Sequence, residues 1–109
     1  MSKPKIAILL ATFNGQKYIK RQLFSILSQQ KVSVDIFISD DLSSDKTIEI
    51  CKSIMKNHSN IKILDRPDYS FGSAAKNFLN MICQIDFTSY SYLGFSDQDD
   101  IWKPFKIFK

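Results

Sequence analysis

Lys5–Gly15 reads KIAILLATFNG. Ile6–Ala11 is an unbroken apolar run led in by a lysine, the pattern of a strand covered on both faces rather than one. Lys5–Thr12 is therefore expected to be the first strand. It stops at Phe13–Asn14–Gly15, where Asn and Gly make a turn inexpensive. A helix is predicted from about Gln16 to Gln29, with Asn14 placed to cap it. Ile19, Leu23, Ile26 and Leu27 line its inner side, and Lys17, Lys20, Arg21 and Gln22 its outer side.

The same strand-then-helix unit repeats outward from this start. Val32–Ser39 alternates as a second strand and ends in the acidic loop Asp40–Asp41–Leu42–Ser43–Ser44–Asp45. Thr47–Asn57 carries the stripe Ile48, Cys51, Ile54 and Met55 of a second helix. Asn60 leads a third strand, Ile61–Leu64, which exits at Pro67, a residue that cannot donate to a ladder. Gly72 or Ser73 opens a third helix, reaching to about Ile85, with Ala75, Phe78, Leu79 and Ile82 expected inside. Tyr90–Phe95 is the fourth strand. Alternation of this kind implies an α/β fold with a mostly parallel sheet and flanking helices. Right-handed crossovers place the first two helices on one face. A third helix on the other face reverses the chain across the first strand and gives the order 3-2-1-4. Thr12, the Asp40–Asp41 loop and Asp97 then meet at a switch point, where such sheets bind ligands.

The 109 residues are 44% hydrophobic and 13% aromatic, a single domain with ample core. The formal charge of +4 is scattered, with no basic run and no aromatic-interleaved basic stripe, so nucleic acid is not an expected partner. A modest basic excess suits an anionic substrate such as a nucleotide. Cys51 and Cys83 fall in helical segments and read as two buried free thiols, consistent with a reducing compartment. His58, the single histidine, sits at a polar helix end and reads as a surface or helix-terminal residue rather than a catalytic base. The apolar run after Lys5 is short for a signal peptide and too short to span a bilayer. The expected location is the cytoplasm, with peripheral contact at the inner face of the membrane left open.

Phe95–Trp102, FSDQDDIW, holds Asp97, Asp99 and Asp100 close together. Clustered carboxylates repel, and exposure, hydrogen bonds or a bound cation must compensate. One reading is an acidic turn on a solvated surface. The other is a strand end where Asp97 and Asp99 converge on Mg²⁺ or Mn²⁺ and leave room for substrate phosphates.

Ile8–Gly15 (ILLATFNG), Tyr18, Ser25–Gln29 (SILSQ), Ile38–Asp45 (ISDDLSSD) with Thr47, and Phe95–Trp102 together resemble the inverting glycosyltransferase family 2. FSDQDDIW with Lys76–Asn77–Phe78 is more similar to its rhamnosyltransferase-like branch than to chitin or cellulose synthases. The resemblance covers essentially the whole chain. It implies the Rossmann-like, nucleotide-binding half of a GT-A fold, and transfer from a UDP- or dTDP-sugar to a saccharide or lipid-linked acceptor. By the same resemblance Ala11, Thr12 and Phe13 border the base and ribose, and Asp41 accepts from a pyrimidine N3–H. Asp40 shapes the loop, Asp97 lies near the ribose or metal, Asp99 ligates the metal, and Lys76 approaches the nucleotide.

Two departures stand out. Leu42 occupies a position where the family usually has glycine, so the loop either avoids positive φ there or carries strain. The acid that serves as general base in the family comes well beyond the DxD motif, and no residue up to Lys109 matches it. The expectation is a donor-binding part, truncated after the motif, that transfers no sugar alone and self-associates through the apolar fourth strand. Two other readings remain: a non-catalytic nucleotide-binding module, and a different Mg²⁺-dependent α/β enzyme.

Overall fold

The computed structural model describes residues 3–65 and 68–97, with the backbone alone at Asp97. Its elements are β1 (Lys5–Thr12), α1 (Ile19–Leu27), β2 (Ser33–Asp40), α2 (Thr47–Met55), β3 (Ile61–Ile63), α3 (Ala74–Gln84) and β4 (Tyr92–Asp97). The strands form one sheet in the order β3-β2-β1-β4, and every pairing is parallel. The expected α/β architecture and strand order are both found.

β1 explains the arrangement. Every residue from Ile6 to Thr12 is buried, and successive side chains serve opposite faces. Ile6, Ile8 and Leu10 join Ile36 and Ile38 of β2 under Ile19, Leu23 and Ile26 of α1 and Cys51 and Ile54 of α2. Ala7, Leu9 and Ala11 join Phe37 under Met81 of α3, with Phe78, Ile85 and Tyr90 at the margin. A strand sandwiched in this way needs apolar residues throughout, and each fully buried Ile or Leu stabilises the fold by roughly 1.5–3 kcal/mol.

Several local expectations are corrected. α1 starts at Ile19, because residues 16–18 form a turn in which the N–H groups of Tyr18 and Ile19 both donate to Gly15 O. Asn14 does not cap α1; its side-chain oxygen accepts from Ser44 N instead. Gln22 is fully buried rather than on the polar face. β2 is shifted by one residue and β4 by two toward the crevice end, while α2 and β3 stop early, at Met55 and Ile63.

α3 is turned relative to expectation. Asn77 and Met81 face the sheet, Phe78 is half-buried, and Ala75, Leu79 and Ile82 are exposed. This rotation lets Asn77 Nδ2 donate to Ser39 O of β2 at 2.9 Å. It also leaves Cys83 exposed, so only Cys51 is a buried thiol. Among the described residues no helix is long and apolar enough to cross a membrane.

Candidate functional site

The carboxyl ends of β1, β2 and β4 form one rim. Thr12 pairs with Asp40 in the β1–β2 register, and Ala11 pairs with Asp97 in the β1–β4 register. Thr12, Asp41 and Asp97 thus leave the sheet on the same edge, as the strand order requires. Neighbouring acids take different roles because strand alternation points them differently.

Asp40 is a loop-forming residue. Its Oδ1 accepts from the Thr12 hydroxyl at 2.6 Å and the Ser43 hydroxyl at 2.5 Å, and its Oδ2 from Ser43 N at 2.8 Å. The turn it closes contains Leu42 at φ +54°, a left-handed backbone that favours glycine. The strain anticipated for that departure is therefore present. On the helix side, burial first and the Asp40 charge second push the Cys51 thiol up to about 12.

The β1–α1 and β2–α2 loops are laced together. Asn14 N donates to Ser43 Oγ, Gly15 N to Thr47 Oγ1, and Lys46 N to Gln16 Oε1, at 2.8, 2.8 and 3.0 Å. Asp45 accepts from Gln16 N at 3.1 Å and from both the N–H and hydroxyl of Thr47. Desolvation pushes the Asp45 carboxyl up, but the Thr47 and Gln16 donors together hold it below the usual carboxylate range. These crossing bonds hold the rim on which Phe13 stands, half-exposed.

Asp41 continues the ladder, its N–H donating to Thr12 O at 2.8 Å. Its carboxylate, 8% exposed, turns away from Asp40 toward the segment before α3. Oδ1 accepts from Phe71 N at 2.7 Å, and Oδ2 from Gly72 N and the Ser70 hydroxyl, both at 3.2 Å. Ala11 packs on the α3 side of the sheet. Lys76 is exposed in the first turn of α3, which Ser73 caps by accepting from Lys76 N. Of Asp97 the structure gives the strand position, and Asp99 and Asp100 lie outside the described residues. Among the described residues, no three His, Cys, Asp or Glu gather as a metal site.

Sequence reasoning missed three participants. Gln22 Nε2 donates to Ser96 Oγ at 3.0 Å, tying the inside of α1 to the residue before Asp97. Asn77 anchors α3 to β2 just before the acidic pair. Ser70–Gly72 surrounds the Asp41 carboxylate. A polar residue inside the Ile19–Leu23–Ile26 stripe was the available signal for Gln22; the loop bonds had none.

Comparison with known proteins agrees with this geometry. The model of glycosyl transferase family 2 matches residues 7–109. The dTDP-rhamnosyl transferase RfbG of Shigella flexneri is 45% identical over 98 residues, covering 90% of this chain and 34% of that protein. Chondroitin synthase of Pasteurella multocida is 28% identical over 101 residues, 93% of this chain and 10% of the synthase. S. aureus TarS 1–349 superposes with TM-score 0.79 at 25% identity over 94% of this chain and 30% of that one. Its complex with UDP-GlcNAc gives TM-score 0.76 at the same identity, over 94% and 29% of the two chains. The Pyrobaculum calidifontis mannosyltransferase PcManGT, in complex with GDP-Man and Mn²⁺, shares the fold at TM-score 0.74 and 18% identity, over 93% and 29%. The chain spans about a third or less of the length of each of these proteins. A parallel 3-2-1-4 sheet with its acids on one rim, and a family match running from β1 to Lys109, establish that the chain belongs to glycosyl transferase family 2.

Proposed function

We propose that this chain is the donor- and metal-binding part of an inverting, metal-dependent glycosyltransferase. The donor is a UDP- or dTDP-sugar and the acceptor a saccharide or lipid-linked saccharide. The observation that carries the reading is Asp41, a buried carboxylate at the end of β2, beside Thr12 and on the same rim as Asp97. The 45% identity to a dTDP-rhamnosyl transferase and the likeness to a structure holding UDP-GlcNAc favour a uracil or thymine nucleotide.

In this reading Asp41 accepts from the imide N3–H, which cytosine lacks. Ala11, Thr12 and Phe13 border the base and ribose, and Lys76 approaches from the start of α3. Asp40 and Asp41 are engaged by hydroxyl and amide donors, and by the family resemblance the acids that take the hard cation are Asp97 and Asp99. Asp97 and Asp99 would hold Mg²⁺ or Mn²⁺, which would supply positive charge to offset that on the departing diphosphate. The working location is the cytoplasm, at the inner face of the membrane where the acceptor is lipid-linked.

Calorimetry tests the assignment. UDP or dTDP is expected to bind more tightly with Mn²⁺ or Mg²⁺ than with EDTA, and Asp99→Ala to remove most of that difference. Equal affinity with and without metal would overturn the metal role.

A further inference from the structure

The segment between β3 and α3 holds Asp41 from both sides of its carboxylate. Phe71 N reaches one oxygen, while Gly72 N and the Ser70 hydroxyl reach the other. The segment is braced in turn. Ser73 follows at once as the cap of α3, and α3 is pinned to β2 by Asn77 on Ser39 O. A continuous line therefore runs from the helix, through its cap, to the plane of one carboxylate. Gly72 adopts φ +80°, and a Cβ placed there would meet nothing among the described residues within 4 Å. Glycine is favoured at that position by backbone geometry rather than by crowding among the described residues.

We propose that Ser70–Gly72 is a clamp that positions Asp41 toward an imide-bearing base, uracil or thymine, and so sets base selectivity. The proposal rests on the assignment of Asp41 as the base-reading residue. The alternative role for the same contact is a plug, occupying the carboxylate until a nucleotide displaces it. Displacement would strip three donors from a buried carboxylate and pull on the cap of α3. The geometry therefore favours holding over blocking. A carboxylate held at both oxygens discriminates by direction: it meets a donor at N3 of uracil or thymine and an acceptor at N3 of cytosine.

The test is calorimetric titration of UDP and CDP, with Mg²⁺ present, into the chain and its Gly72→Ala, Ser70→Ala and Asp41→Ala variants, with melting temperatures in parallel. Gly72→Ala disfavours the left-handed backbone without a clash and withdraws an N–H from the carboxylate. UDP affinity is expected to fall about tenfold, the scale of one hydrogen bond to a charged group, while CDP changes little. Ser70→Ala, which leaves the backbone alone, should move the UDP/CDP ratio in the same direction by less. Tighter UDP binding in Gly72→Ala would identify a plug and overturn the clamp. Equal losses for UDP and CDP would reduce the loop to a structural role and also overturn it. If Asp41→Ala changes the ratio and neither loop variant does, the clamp fails alone. If Asp41→Ala leaves the ratio unchanged, the base-reading assignment fails and the clamp with it.

Discussion

Leu42→Gly is expected to relieve strain in the loop that presents Asp41. Leu42 sits at φ +54° with 47% of its surface exposed. An L-residue in the left-handed region costs roughly 1–2 kcal/mol. Glycine removes that cost but gives back part of it, about 0.5–1 kcal/mol, through its larger unfolded-state entropy. It also forfeits the half-buried leucine side chain, worth about 1 kcal/mol if full burial is worth roughly 1.5–3 kcal/mol. Leu42→Gly alone should therefore change stability little. The informative comparison is with Leu42→Ala, which loses nearly the same side chain but keeps the left-handed penalty. The Leu42→Gly variant is expected to exceed the Leu42→Ala variant by about 0.5–1 kcal/mol, roughly 3 °C or more in Tm for a chain of this size.

The control is the same pair of substitutions at exposed Lys52, inside α2, where alanine should exceed glycine by about 1 kcal/mol. Thermal unfolding followed by circular dichroism measures both pairs. A Leu42→Ala variant as stable as the Leu42→Gly variant would refute the reasoning, because it would mean the backbone there is not held left-handed. The constraint has an identifiable source. Asp40 takes both the N–H and the hydroxyl of Ser43 and closes the turn around Leu42.

Iodoacetamide on the native chain should modify Cys83 and spare Cys51, which is buried and whose thiol is pushed up to about 12; peptide mass spectrometry decides it, and equal labelling would contradict the fold at α2. Asp45 is held below the usual range by its donors, so its contribution to stability is present above its unfolded value of about 3.9 and is lost as pH falls through its lower folded value. Tm measured from pH 6 down to about 2.5 should therefore fall less steeply in Asp45→Asn than in the parent. β4 is the outer strand of the described sheet and exposes Tyr92, Leu93 and Phe95. Light scattering over a concentration series should show self-association that Leu93→Lys weakens, and a monomer throughout would refute it. Assayed with UDP- and dTDP-sugars, metal and varied acceptors, the 109 residues are expected to bind donor without transferring sugar. Transfer that disappears in Asp99→Ala would reveal a base among these residues.

The fold was legible in the sequence where burial is uniform. β1 is covered on both faces, so its apolar run has a single interpretation, and alternation with right-handed crossovers leaves one economical strand order. Legibility failed where a polar group is buried against a distant partner. Gln22 lies on the inner stripe of α1 because Ser96, remote in sequence, is there to accept from it. Asn77 displaces Leu79 and Ile82 from the sheet because a carbonyl of β2 awaits its amide. A buried polar side chain costs free energy unless its partner is in place. Local pattern therefore assigns it to solvent, and only the assembled fold reverses the sign. These reversals are not spread evenly. Gln22 meets Ser96 one residue before the end of β4, Asn77 meets Ser39 one residue before the end of β2, and Asp41 meets its loop just beyond. A core that needed only stability could fill those positions with leucine. Polar residues concentrated at one end of the sheet hold strand ends and loops in fixed directions, which apolar packing does less well. The departures from pattern thus mark the rim that has to present Thr12, Asp41 and Asp97 in register, on the same edge where the strand order independently places a binding site.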